Sequence, residues 1–168
     1  MASWATNHTV TVTVDGIDRS AHVVAGSVYI RQNIGNEADV ASFEIWDNVG
    51  NYRPGGWDEV TIAIDGSTLF GGFVVETAIS AVDTVSGTRY AVELKDYSVL
   101  LDTVVVDKSY GTGYSDKDVV GDLFSTYLGG EGFDVTTNVT AQDTAVEIGF
   151  ENVSLRRALN ELAVLLRS

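Results

Sequence analysis

Two runs of alternating side chains, each followed by Asp-Gly, constrain the fold of this chain more than any other feature. The first is VTVTVDG (residues 10–16) and the second is VTIAIDG (residues 60–66). Alternation with a period of two is typical of a β-strand with one buried face. Asp-Gly after such a strand indicates a hairpin, because a type I′ turn needs positive φ at both central residues. We therefore predict two hairpins, and chance explains their similarity at least as well as duplication.

Four further segments of the first hundred residues have the pattern of strands. They are SVYIRQNI (27–34), VASFEIWD (40–47), LFGGFVVETAIS (69–80) and RYAVELKDYSVLL (89–101). About seven short strands with turn-forming residues between them favour an antiparallel barrel or sandwich. The fold class that we predict is mainly β, with a small α+β part at the C-terminus.

Two adjacent glycines, Gly71 and Gly72, interrupt a run of strand-forming residues that includes Phe70. Glycine weakens a strand, because it offers no side chain for packing and loses more chain entropy on folding. It is used where a strand bends sharply, or where a ring or another backbone packs against it. We therefore predict a structural corner here. A ligand site is the lesser alternative, because no polar cluster accompanies the glycines.

The pattern changes to α+β in the last third of the chain. Ser115, the acidic residues after it and Gly129-Gly130 predict a helix between residues 115 and 130. FDVTTNVT (133–140) and AVEIGFENV (145–153) have the pattern of strands, and an apolar stripe after Ser154 predicts a second helix. We divide the chain into a barrel or sandwich domain at 1–107 and an α+β segment at 108–168.

The second helix has no glycine cap and carries an apolar face that includes Leu162 and Leu166. Such a face and the last carbonyl groups need partners. Three arrangements remain open: the helix docks on its own domain, the chain is part of a longer protein, or a second subunit covers the face.

The charge of the chain restricts its partners. Ten basic residues against 24 acidic residues give a formal net charge of −14. Nucleic-acid binding depends on Lys and Arg side chains that neutralise phosphates, so these numbers argue against direct DNA or RNA binding. Two explanations of this acidity remain open: it keeps the protein soluble, or it prevents the surface from binding polyanions. No long apolar run, signal peptide or cysteine is present, which argues against a membrane span, secretion and thiolate metal sites.

No motif of a known catalytic or metal site occurs in the sequence. It lacks HExxH, GxSxG and a phosphate-binding glycine loop, so we predict no catalytic residue, no cofactor and no metal. Asp15 and Asp18 fit a turn, and Asp116 and Asp118 suit the positive end of the helix dipole, because neither pair has the spacing of a calcium loop.

The order of these features resembles bacteriophage tail proteins of the baseplate hub and tail-tip group. The resemblance rests on the VDG hairpin, ASFEIWD, PGGWDEVTI, LFGGFV, VELKDYSVLLD and FENVSLRRALNELA, in that order, from Val10 to Leu166. It implies a tail-tube-like β-barrel, followed by a helix that belongs to the next domain. Members of the group usually continue past this helix, so we expect either a fragment of a longer hub protein or a short member.

The resemblance also implies assembly into a symmetric ring about the tail axis. Strand edges, the loop NVGNYRPGGWDE (48–59) and the terminal helix would supply the contacts, and the expected interface residues are Tyr52, Arg53, Pro54, Trp57, Leu162 and Leu166. The residues expected to specify the fold are Phe70, Gly71, Gly72, Asp96, Tyr97 and Leu100. Tyr97 is expected to bury its ring, and Leu100 and Leu101 to close the barrel core.

We therefore predict a non-enzymatic structural protein of a phage or phage-like tail, located in the virion tail and made in the host cytoplasm. The expected partners are further copies in a trimeric or hexameric ring, the tail tube, the tape-measure protein and other tail-tip proteins, without sequence-specific nucleic acid. The net charge is compatible with a lumen that repels DNA. The alternative is a carbohydrate-binding β-sandwich for host adhesion, which Trp57 and Tyr52 exposed in one groove would favour. An enzyme with an unusual carboxylate site has no motif to support it.

Overall fold

The computed structural model describes residues 8–34, 37–48, 52–83, 87–130 and 144–167. The chain divides into two compact units, Met1–Ser98 and Val99–Ser168. The first consists mainly of antiparallel strands, and the second combines a two-stranded sheet with helices. The predicted fold class, mainly β with a small C-terminal α+β part, is confirmed.

Seven antiparallel strands form the sheet of the first unit, in the order β2-β1-β5-β6-β7-β4-β3. Their bounds are Val10–Val14 (β1), Ile17–Asp18 (β2), Tyr29–Arg31 (β3), Val40–Asp47 (β4), Glu59–Ile64 (β5), Ser67–Asp83 (β6) and Gly87–Asp96 (β7). The alternating pattern decides which face is buried. In β4, for example, Ala41, Phe43 and Ile45 are buried and the residues between them are half-buried.

Both Asp-Gly pairs form the predicted hairpin turns. Asp15 and Gly16 have φ values of 48° and 75°, and Asp65 and Gly66 have values of 52° and 81°. All four residues therefore adopt the positive φ that a type I′ turn requires. The two similar runs also pair with each other, because β1 and β5 are neighbours along their whole length.

The first core lies on the inner face of this sheet and contains Val12, Val14, Ala41, Phe43, Ile45, Val60, Ile62, Phe70, Val74, Val92 and Leu94. The connection between β2 and β3 reaches strands near both ends of the sheet order. Arg19 N donates to Val12 O, and Val24 N donates to Glu44 O, both at 2.8 Å. Among the described residues no ladder joins β3 to β1 or β2. This connection, and not a strand pair, therefore closes the barrel-like core.

Strand β6 is much longer than its neighbour β5. Its first part pairs with β5 as far as Phe73, and the part from Gly72 onward pairs with β7 as far as Asp83. The register shifts twice along the β6–β7 ladder, after Val74 and after Ile79. Such bulges bend and twist the strand locally. The distal end of β6, which we define as residues 78–83, therefore extends past the last residue that pairs with β5.

The second unit contains α1 (Leu100–Thr103), β8 (Val105–Ser115), α2 (Asp116–Leu128), β9 (Ala145–Ser154) and α3 (Leu155–Leu165). Ser115 begins α2 as predicted, since its Oγ accepts from Asp118 N at 3.3 Å while the Asp118 carboxylate accepts from Ser115 N at 3.0 Å. Ser154 Oγ caps α3 through Arg157 N at 3.3 Å. Both predicted helices and the strand at 145–153 are confirmed. The strand predicted at 133–140 lies outside the described residues.

The terminal helix docks on its own unit, which is the first of the three arrangements left open by the sequence. Its buried residues join the second core, which contains Val106, Tyr110, Val119, Leu123, Leu128, Val146, Phe150, Leu155, Ala158 and Leu162. The apolar stripe of the helix is thus largely accounted for within the unit.

Two expectations about the chain after Asp96 are corrected. Strand β7 ends at Asp96, and the next three residues form a 3₁₀ turn. Asp96 Oδ1 accepts from both the N and the Oγ of Ser98, at 3.1 and 2.6 Å, and such a local bond competes with the sheet ladder. Leu100 and Leu101 then pack against the second core instead of closing the first.

Candidate functional site

Gly71 and Gly72 lie where β6 passes under a ring and beside a backbone. A Cβ atom at Gly71 would lie 2.8 Å from Cε2 of Tyr97, and one at Gly72 would lie 2.0 Å from the O atom of Lys95. Neither glycine has a φ in the positive region. Close approach, and not turn geometry, therefore explains why no side chain is present at either position.

Tyr97 stands at one end of an aromatic row in which Phe73 lies between Trp57 and Tyr97. Its ring stands edge-on to Phe73 with the centroids 5.5 Å apart, and its OH donates to Glu59 Oε1 at 2.5 Å. Burial and the bond to Glu59 raise the pKa of Tyr97 to about 12, because both disfavour the phenolate. The ring is half-buried. Sequence analysis missed Phe73 and Glu59, although their directly opposed positions on β6 and β5 follow once the register is known.

The loop before β5 presents Trp57 in a fixed position. Trp57 has a φ of 71°, which is unusual for a bulky residue. Its N donates to Val74 O at 2.8 Å, and the Asp58 carboxylate accepts from Gly55 N at 2.7 Å. The indole is 52% exposed and tilts against Phe73 with the centroids 5.9 Å apart. Backbone strain of this kind often accompanies a functional side chain.

The other predicted interface residues of this loop have different surroundings. Arg53 is exposed, and its Nη2 donates to Thr77 O on β6 at 3.1 Å. Pro54 is buried. We therefore keep Arg53 and Trp57 as candidates for contacts with a partner, and correct the expectation for Pro54, because a buried ring is not available to a partner.

Tyr52 does not form a groove wall beside Trp57. It packs against the first core, and the guanidinium carbon of Arg19 lies 4.0 Å from the centroid of its ring. Burial raises the pKa of Tyr52. Stacking on a sugar needs a free ring face, and the Arg19 guanidinium lies over one face of the Tyr52 ring.

The two interface candidates of the terminal helix region pack inward. Leu162 is buried in the second core, and Leu166 is half-buried against it, with its N donating to Leu162 O at 3.1 Å. The expectation that Leu162 contacts another subunit is corrected, because its side chain is already enclosed. Val164, which sequence analysis did not single out, is 68% exposed.

The carboxylates of Asp15, Asp18 and Asp116 each accept a hydrogen bond from the main chain. Asp15 Oδ1 accepts from Glu59 N at 2.9 Å, and Asp18 Oδ1 accepts from Ser20 N at 2.8 Å. Asp116 Oδ1 accepts from the N of Thr144 at 2.9 Å. Within the described residues, no three His, Asp or Glu side chains gather into a group that could hold a metal ion. In the same part of the chain, no helix has the length and apolarity to cross a membrane.

Lys108, Tyr110 and Asp122 form a polar cluster in the second unit. Asp122 Oδ2 accepts from Tyr110 OH at 2.6 Å and pairs with Lys108 Nζ at 2.5 Å. Burial raises the pKa of Tyr110, and the bonds from Lys108 and Tyr110 lower that of Asp122. Every shift stabilises the ordinary protonation state near neutral pH. The cluster therefore ties β8 to α2.

No protein-family model matches the chain, and no curated protein matches its sequence. Solved structures do match its fold. A 43 kDa tail protein of prophage MuSo2 from Shewanella oneidensis is similar over 93% of this chain, with a TM-score of 0.70 and 14% identity. The tail protein from Neisseria meningitidis MC58 is similar over 95%, with a TM-score of 0.65 and 14% identity.

A prophage tail protein from Listeria monocytogenes EGD-e is similar over 91% of this chain, with a TM-score of 0.54 and 12% identity. The chain spans 47%, 45% and 44% of the lengths of these three proteins, respectively. At such identities the similarity shows the fold, which is that of phage and prophage tail proteins.

Proposed function

We propose that the chain is a structural, non-enzymatic component of a phage or prophage tail. The observation that carries the proposal is the similarity of more than nine-tenths of the chain to tail proteins from three bacteria. A shared fold alone indicates function by analogy. The polar clusters also support a structural role, because their hydrogen bonds hold turns, helix caps and packed elements together.

We further propose a place at the baseplate hub or tail tip, in a trimeric or hexameric ring that continues the tail tube. Its neighbours would be the tail tube, the tape-measure protein and other tail-tip proteins. A barrel-like unit followed along the chain by an α+β unit supports a place at the hub or tip, because this is the order of features in the baseplate hub and tail-tip proteins that the chain resembles. The net charge of −14 suits a lumen that repels DNA.

Induction of the prophage in the strain that encodes the chain tests the tail role. Particles are purified on a density gradient, analysed by mass spectrometry and labelled with a gold-conjugated antibody against the purified protein. We expect the protein to copurify with particles, and the label to lie at the distal end of the tail. Absence of the protein from tail-bearing particles would contradict the proposal, and label along the whole tail would contradict the hub or tip position.

A further inference from the structure

The first unit has an apolar groove at its seam, where the connection between β2 and β3 closes the core. Two adjoining cavities of about 390 and 380 Å³ share Val28 as a wall. Their apolar lining comes from both sides of the seam and consists of Val10, Val23, Val24, Val28, Ile30, Ile64 and Leu69. We call this feature the seam groove. The Leu69 side chain is 47% exposed there.

The seam groove also contains main chain that pairs with no described residue. The N and O of Val12 point away from β5, because they bond to Ser20 Oγ and Arg19 N. Backbone groups alternate in direction along an antiparallel strand, so those of Val10 point to the same side. No described residue bonds to them there. A strand laid in the groove can therefore pair with the start of β1.

The distal end of β6 has the features that fit such a groove. In the β6–β7 ladder, Ile79 pairs with Tyr90 and Val82 pairs with Thr88. Tyr90 and Thr88 lie on the same face of β7 as the buried Leu94, so Ile79 and Val82 lie on the core-facing side of the sheet. They extend this core-facing surface beyond the core, and they are 58% and 64% exposed. The outer edge of residues 78–83 has no partner among the described residues, and free edges pair readily with other strands.

The charges beside the two surfaces are complementary. Arg53 bonds to β6 at Thr77 and forms no ion pair with any described residue. Asp65, whose side chain is 53% exposed, pairs through Oδ2 with Nδ1 of His8 at 2.6 Å, and His8 lines the seam groove. Copies with a net charge of −14 repel one another, so a contact between them requires a cation of one copy to meet a carboxylate of the next.

The two surfaces lie near opposite ends of one strand. Leu69 and Val82 are both in β6, and at about 3.3 Å per residue they are roughly 40 Å apart. One copy therefore cannot join its own surfaces. Two different surfaces that meet between copies form a head-to-tail contact, which closes into a ring when the rotation permits.

We propose that the distal end of β6 of one copy docks into the seam groove of the next copy. Ile79 and Val82 enter the cavities, and Arg53 meets Asp65. This inference rests on the proposed tail assembly and identifies the contact through which copies associate.

Cysteine cross-linking tests the contact directly, because the natural chain has no cysteine. Val82→Cys and Leu69→Cys proteins are purified separately, mixed and oxidised. We expect a disulfide-linked dimer in the mixture and much less in either protein alone. Val105→Cys mixed with Leu69→Cys is the matched control, because Val105 is 58% exposed on β8 and should not form a cross-link. Equal cross-linking with Val105 would overturn the proposal.

Sedimentation velocity tests whether the contact drives association. One double variant, Ile79→Thr with Val82→Thr, removes apolar surface from the distal end of β6. The other, Leu69→Thr with Val28→Thr, removes apolar surface from the seam groove. Threonine is used in both because it is compatible with a β-strand. We expect the wild type to form oligomers and each variant alone to be a monomer. A mixture of the two variants should form a dimer, because the intact groove of one variant accepts the intact strand end of the other. Circular dichroism verifies that the variants fold.

A charge variant separates specific matching from general repulsion. Arg53→Glu should weaken association at least tenfold, whereas Lys117→Glu, an equal charge change at an exposed position of α2, should change it less than twofold. Wild-type protein that stays monomeric at every concentration would overturn the docking proposal. So would oligomers that the variants leave unchanged, or variants that fail to form a dimer on mixing. None of these results bears on the presence of the protein in purified tails, which tests the proposed function separately.

Discussion

Asp15 and Asp65 hold equivalent positions at opposite ends of one antiparallel ladder. Asp15 N donates to Glu59 O at 2.8 Å, and Asp15 Oδ1 accepts from Glu59 N at 2.9 Å. Asp65 N donates to Thr9 O at 2.9 Å, and Asp65 Oδ1 accepts from Thr9 N at 2.9 Å. Each turn therefore holds the residue that precedes the first residue of the β1–β5 ladder on the other strand. The two similar sequence runs form a local twofold arrangement in which each hairpin closes one end of the β1–β5 ladder.

Asp15→Ala should lower the free energy of unfolding by about 1–3 kcal/mol. The change removes the acceptor for Glu59 N and places alanine at a φ of 48°. Asp15→Asn is the matched control, because asparagine retains an acceptor oxygen and tolerates positive φ. Urea unfolding followed by circular dichroism measures both variants. Equal losses for alanine and asparagine would show that the side-chain bond does not stabilise the turn.

Gly72→Ala should be more destabilising than Gly71→Ala. The new Cβ at position 72 would meet the main chain at Lys95, whereas the one at position 71 would meet the ring of Tyr97, which can shift. We expect a loss of about 3 kcal/mol or more at Gly72 and about 1–3 kcal/mol at Gly71, as for overpacked sites. Thermal and urea unfolding check the order. A larger loss at Gly71 than at Gly72 would contradict the packing explanation.

Stability should fall between pH 10 and pH 12 partly because of Tyr97. Its pKa in the folded protein is about 12, above the ordinary value of 10.0 that applies to the unfolded chain. A raised pKa means that the stabilisation is fully present below pH 10 and disappears as the pH approaches 12. We expect the urea midpoint of Tyr97→Phe to fall less steeply across this range than that of wild type. Tyr29→Phe, at an exposed position, is the control and should follow wild type.

Trp57→Gly should be more stable than Trp57→Ala. Both changes remove the exposed indole and its contact with Phe73, but only glycine relieves the φ of 71°. The difference should be about 1 kcal/mol, which is the usual penalty for a side chain in the left-handed region. Differential unfolding in urea measures it. An alanine variant as stable as the glycine variant would show that the loop relaxes to another backbone conformation.

Hairpins and helix starts were predictable because their chemistry is local. Asp-Gly specifies its turn with two residues, and Ser115 and Asp118 specify the start of α2 within one turn. The alternating pattern of 40–47 likewise predicted the strand β4. The residues that specify these elements lie close together in the sequence, so the sequence alone is enough to predict them.

Contacts between distant segments were not predictable in the same way. Gly71 indicated a close approach, but only the register of β6 and the turn after Asp96 bring the Tyr97 ring over it. Leu100 and Leu101 were assigned to the wrong core, because the bond from Ser98 to Asp96 ends the strand earlier than the apolar pattern does. The seam groove is lined by residues from distant parts of the chain, so no short stretch of the sequence predicts it.

The pairing of β1 with β5 has a consequence for how the protein is made. Strand β1 pairs locally with β2, but its longest ladder, the one with β5, forms only after residues roughly fifty positions later in the chain have been synthesised. Such non-local pairing is slow, because loop-closure entropy is lost before the contacts form. During translation the first alternating run therefore pairs only with the two residues of β2, and its other edge stays open until the second run has been made.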